Sequence, residues 1–94
     1  FDEVNYVWKL KQELNRIYRK TKALDQALES GSRDALIIKL YSLEGSRLVY
    51  DLDDNTLTMS ELVKQLDELK SRIENEAPGI THDDYRPELL ERLS

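Results

Sequence analysis

The sequence predicts an α+β domain, mostly helical, in the order α-β-β-α: two antiparallel helices, a two-stranded β-hairpin and a short C-terminal helix or arm. Three observations carry this. Apolar or near-apolar residues recur at Val7, Leu10, Leu14, Ile17, Thr21, Leu24 and Leu28 in alternating steps of three and four, the heptad spacing of one helix face. From Leu36 to Leu52 the apolar spacing drops to two, the period of a strand. Beyond it, Thr58 and Glu61 form a helix-opening capping box and Leu62, Leu66, Leu69 and Ile73 restore the helical step.

The first helix is expected to run from Asp2 to Glu29 without interruption, since good helix formers fill its other faces. Ser30-Gly31-Ser32 supplies its stop, with Gly31 placed to take the left-handed conformation. Leu36, Ile38 and Leu40 then share one face of a first strand, and Leu48, Tyr50 and Leu52 one face of a second, turning through Leu43-Glu44-Gly45-Ser46. Ile37, Tyr41 and Val49 fall on the opposite hairpin face, which predicts that a partner or a second copy covers it. A turn at Asp53-Asp54-Asn55 leads to the second long helix, stapled by Leu57 and Leu62 and ended by Ala77-Pro78-Gly79. The two leucine seams are expected to face each other. Residues 1–77 thus form a core domain, and residues 78–94 an arm in which Pro87 opens a short helix bearing Leu89, Leu90 and Leu93.

Composition excludes much. With 94 residues, 39% apolar and 35% charged, the chain has enough surface to bury one modest core but not a core and a deep substrate cavity. The absence of cysteine removes disulfides, thiolate metal sites and a cysteine nucleophile. The longest apolar run, Ala35 to Ile38, falls far short of the roughly 20 residues that cross a bilayer. The expected setting is therefore cytoplasmic or intravirion rather than membrane. Net charge is −5, with basic residues concentrated before Glu29 and acidic ones after Thr58.

No residue pattern nominates a reaction. His82, the only histidine, lies in a polar turn beside Asp83 and Asp84; neighbouring residues seldom converge on one metal ion, and the turn reads as a helix cap. Asp51, Asp53 and Asn55 imitate the start of a calcium loop, but Thr56 stands where the loop needs glycine and Leu62 where it needs glutamate. Phosphate-binding glycine loops are missing. The expectation is a chain with no catalytic residues, no cofactor and no metal. Arg16, Arg19, Lys20 and Lys22 around Tyr18 form the one basic cluster, read first as a solvated or internally paired face and second as contacts to nucleic acid or an acidic partner.

The helix ending at Ser30-Gly31, the turn at Gly45 and the Leu57-Thr58 entry into Glu61-Leu62 together resemble tailed-phage head-completion proteins of the lambda W type. The likeness covers residues 10–77 and implies a non-catalytic, ring-forming adaptor at a head-tail junction. Residues Leu36 to Ile73 are also similar to the opening half of ubiquitin-like folds. The sequence therefore favours a structural adaptor or assembly protein that self-associates or joins a larger assembly. Its interface candidates are Tyr6, Trp8, Ile37, Tyr41, Val49, Leu89, Leu90 and Leu93. A monomeric protein-binding module is the second reading and a nucleic-acid binder the third.

Overall fold

The computed structural model describes residues 3–50 and 57–93, and over these the chain is all-helical. Its elements are α1 (Glu3–Arg19), α2 (Thr21–Glu29), α3 (Arg33–Leu48), α4 (Met59–Glu76), a 3-10 turn at His82–Asp84 and α5 (Pro87–Glu91). No strand occurs among the described residues, so the expected hairpin is replaced by α3. The physical reason is burial on most sides. Ala35, Leu36, Ile37, Ile38, Leu40, Leu43 and Gly45 are all buried, because α1, α2, α4, the 3-10 turn and α5 each pack against this one helix. A helix enclosed around most of its circumference has only a weak amphipathic period to read, and its Leu36-Ile38-Leu40 subset mimics strand alternation.

Gly45 is the other misdirection, since it sits inside α3 rather than in a turn. A β-carbon there would lie 3.0 Å from Leu14 Cδ2 and 3.1 Å from Leu10 Cδ1. Glycine therefore permits the close approach of α1 to α3, at the cost of helix propensity. Ser32 opens α3, its hydroxyl accepting the Ala35 N–H at 3.2 Å, and the Val49 N–H closes it on the Gly45 carbonyl. The expected second strand thus begins in the last turn of a helix. Its end at Leu52, the turn at Asp53–Asn55 and the calcium-like spacing lie outside the described residues. Without the hairpin, the element orders that carried the likeness to head-completion proteins and to ubiquitin-like folds are no longer there.

The continuous first helix is also corrected, for it breaks at Lys20, where φ is −110° and ψ 23°. The Thr21 hydroxyl donates to the Tyr18 carbonyl at 2.6 Å and the Lys20 N–H to the Ile17 carbonyl at 2.9 Å, so local bonds displace the regular ladder. The stop after α2 is as expected. Gly31 has φ +78°, with Ser32 N–H on the Ala27 carbonyl and Gly31 N–H on that of Leu28, a Schellman closure. The two seams do not form a simple facing pair. Leu62, Leu66, Leu69 and Ile73 of α4 pack in the main core with α3, whereas Leu10 and Leu14 of α1 form a second cluster with Val49.

At the start of α4 the Thr58 hydroxyl accepts the Glu61 N–H at 3.1 Å, the hydroxyl half of the expected capping box, with Leu57 half-buried and Leu62 buried. Pro87 begins α5. The C-terminal segment is no loose appendage: Ile80, Tyr85, Leu89 and Leu90 belong to the same buried cluster as α3 and α4. Polar bonds tie it down as well, including Arg92 Nη1 to Asp34 Oδ2 at 3.3 Å. No described helix is long and apolar enough to cross a membrane.

Candidate protein-docking face

Each nominated side chain now has a place. His82 stands half-exposed in the 3-10 turn, Nδ1 3.7 Å from Glu44 Oε2 and Nε2 3.4 Å from Asp83 Oδ1. Lys70 Nζ lies 3.9 Å from the other Glu44 oxygen. These groups rim a shallow crevice of about 440 Å³ floored by Leu40, Ile73 and Ile80. Thr81 is the hydroxyl-bearing residue of its lining. Asp84 caps the turn by accepting the Thr81 N–H at 3.0 Å. Among the described residues no three His, Cys, Asp or Glu side chains are grouped to hold a metal ion.

The nominated interface residues divide sharply. Ile37, Val49, Leu89 and Leu90 are buried in the chain's own core, so they fill it instead of presenting a surface. Tyr41 is partly covered and stacks on Tyr85, ring centroids 4.1 Å apart and planes inclined by 12°. Leu93 packs partly buried against the main cluster. Tyr6 and Trp8 alone of the set remain open, 49% and 60% exposed.

The basic cluster divides too. Lys20 Nζ donates to the Leu90 carbonyl at 3.0 Å, beside the Leu93 N–H that the same oxygen accepts, placing a cation at the C-terminal, electronegative end of α5. Arg16 Nη1 donates to Glu13 Oε1 at 3.0 Å. The second Glu13 oxygen accepts the Tyr85 hydroxyl at 2.5 Å, joining the C-terminal segment to α1. Burial first, then the bond to Glu13 and its charge, push the Tyr85 phenol far above its ordinary range. Burial and then Glu13 also raise Tyr41. Arg19 and Lys22, together with Lys9, make no ion pair or hydrogen bond among the described residues.

What remains is the outer face of α1. The large exposed hydrophobic residues are Val4 (81%), Tyr6, Trp8 and Tyr18 (75%) on this helix, and elsewhere Leu48 and Met59. At 3.6 residues per turn, Val4, Trp8 and Tyr18 fall within about 80° of arc, with Trp8 and Tyr18 about 15 Å apart along the axis. Asn15 lies on the same arc and is exposed. Leu10, Leu14 and Ile17 occupy the adjoining arc and face the core, Leu14 standing about 40° from Tyr18. Of the exposed residues the sequence nominated Tyr6 and Trp8, while most of its other interface candidates are internal. The usable signal was aromatic residues off the seam, on a helix whose apolar stripe already accounted for the core.

Among protein families, the model described as "Protein of unknown function (DUF3087)" matches residues 1–90 of the chain. No curated protein and no solved structure matches it.

Proposed function

Starting from the premise that the chain belongs to the DUF3087 family, whose description names no activity, we propose that it is a non-catalytic adaptor module that docks a partner protein on the outer face of α1 and acts as a monomer. One observation carries the reading: Val4, Trp8 and Tyr18 are exposed on one stripe of a helix whose adjoining arc is anchored in the core. Exposed aromatic side chains on a rigid element are the usual anchors of protein interfaces, since they bury large area at little entropic cost.

Self-association is disfavoured by what the fold has consumed. The seams and most of the apolar residues nominated for a second copy are packed within the chain, and α1 against a second α1 would oppose like charges. Nucleic-acid binding is disfavoured by number. Only Lys9, Arg19 and Lys22 of the α1–α2 cations are uncommitted beside Lys11, which has a partner of its own, and duplex binders commonly neutralise about 6–10 phosphates.

The test places a photo-crosslinking amino acid at Trp8, at Tyr18 and, as control, at Ser71 on the exposed side of α4, alongside light scattering on the purified chain. A monomer at all concentrations, with discrete protein adducts from positions 8 and 18 and none from 71, is the expected result. A concentration-dependent oligomer, or adducts as strong from position 71, would count against it.

A further inference from the structure

The charge on α1 narrows the partner, and we infer that this face takes an acidic amphipathic helix of a different protein, its apolar stripe laid along Val4, Trp8 and Tyr18 and its Asp/Glu flanks meeting Lys9, Arg19 and Lys22. The inference rests on the docking reading above. Between Val4 and Leu24 the chain carries six Lys or Arg and a single acid, Glu13. That acid is withdrawn from the surface, one oxygen accepting from Arg16 and the other from Tyr85. A chain of net charge −5 therefore carries exposed Val4, Trp8 and Tyr18 on a basic segment, with Arg19 about 20° of arc beyond Trp8, Lys9 about 100° beyond it and Lys22 following the break at Lys20. Complementary charge steers encounter and fixes register, while the buried aromatics hold the complex.

A second copy does not fit this description. Glu61, Asp67, Glu68 and Glu74 are acids on the exposed sides of α4 and have no ion-pair partner among the described residues. Yet the α4 apolar stripe, Leu62, Leu66, Leu69 and Ile73, is buried against the core, so a neighbouring α4 offers charge without an apolar face. Val4 to Arg19 spans about 22 Å of axis, so a partner helix of four turns covers it.

Trp8 is the only tryptophan, so its emission reads the face directly. Three synthetic helical peptides of about 18 residues share one leucine stripe and carry Glu, Gln or Lys on the flanks; a single-stranded oligothymidylate is the fourth probe. The expected result is a saturable blue shift of Trp8 with the Glu peptide, at least about tenfold tighter than with the Gln peptide and weakened by salt. In the triple variant Lys9→Glu, Arg19→Glu, Lys22→Glu, with its thermal midpoint unchanged as a check of folding, preference passes to the Lys peptide. Equal binding of the Gln peptide would overturn the acidic partner and leave α1 docking standing. A response to oligothymidylate alone would overturn both. Silence from every peptide would overturn the acidic helix, with docking itself then decided by the crosslinks at positions 8 and 18.

Discussion

Replacing Tyr85 by Phe removes one oxygen and leaves the stack on Tyr41 and the burial of the ring in place. What is lost is the hydroxyl that donates to Glu13 Oε2. A hydrogen bond to a charged acceptor is worth about 1.5–3 kcal/mol; Glu13 keeps its Arg16 bond and part of its hydration, so Tyr85→Phe costs about 1–2 kcal/mol. For a domain of this length that lowers the melting midpoint by roughly 5–15 °C. The pH dependence is more diagnostic. The folded phenol is held protonated above its ordinary range by burial and by Glu13, whereas the unfolded one ionises near pH 10. With the folded pKa raised, the Tyr85 contribution is fully present below about pH 10 and declines above it, at about 1.4 kcal/mol per pH unit. The wild type and Tyr85→Phe should therefore converge roughly one unit above pH 10. Urea titrations followed by circular dichroism from neutral pH into alkali read both quantities. Equal stabilities at neutral pH, or a gap that stays constant in alkali, would refute the assignment of this bond.

Gly45→Val adds a β-carbon about 3 Å from the Leu10 and Leu14 termini, with two further methyl groups on it, and should lower the urea midpoint by an amount equivalent to about 1–3 kcal/mol despite valine's better helix propensity. Leu90→Ala should cost about 2–5 kcal/mol in the same assay, where a loosely held arm would lose under about 0.5 kcal/mol. Lys20→Met keeps the aliphatic stem but removes the charged donor to the Leu90 carbonyl, which keeps its backbone bond from the Leu93 N–H; the expected loss is about 1 kcal/mol, with faster amide exchange confined to α5. Trp8→Ala should leave the thermal midpoint within about 0.5 kcal/mol equivalent of wild type, since its exposure is 60%.

The parts of the fold that could be read from the sequence are those governed by a few neighbouring residues. Thr58 and Glu61, Gly31 after α2, and Pro87 at the start of α5 each act within one turn, and each stands where the local chemistry puts it. The parts that could not be read are governed by long-range packing. Enclosure around most of its circumference weakened the period of α3, and Gly45 is explained by Leu10 and Leu14, more than thirty positions away. The break at Lys20 left the heptad count intact, so periodicity carried no trace of it. Of the docking face, Trp8 was legible as an aromatic beside the seam; Val4 and Tyr18 join the face only once α1 is seen to be anchored through Leu10, Leu14 and Ile17.

The central placement of α3 also orders events during synthesis. Its neighbours include the 3-10 turn and α5, and Ile80, Tyr85, Leu89 and Leu90 seal the main cluster. A nascent chain that ends at Ala77 therefore has every long helix and still an open flank along its most apolar one. The decisive closure waits until Leu90 has cleared the ribosomal tunnel, so chaperones that shield emerging apolar segments have their longest window on this helix.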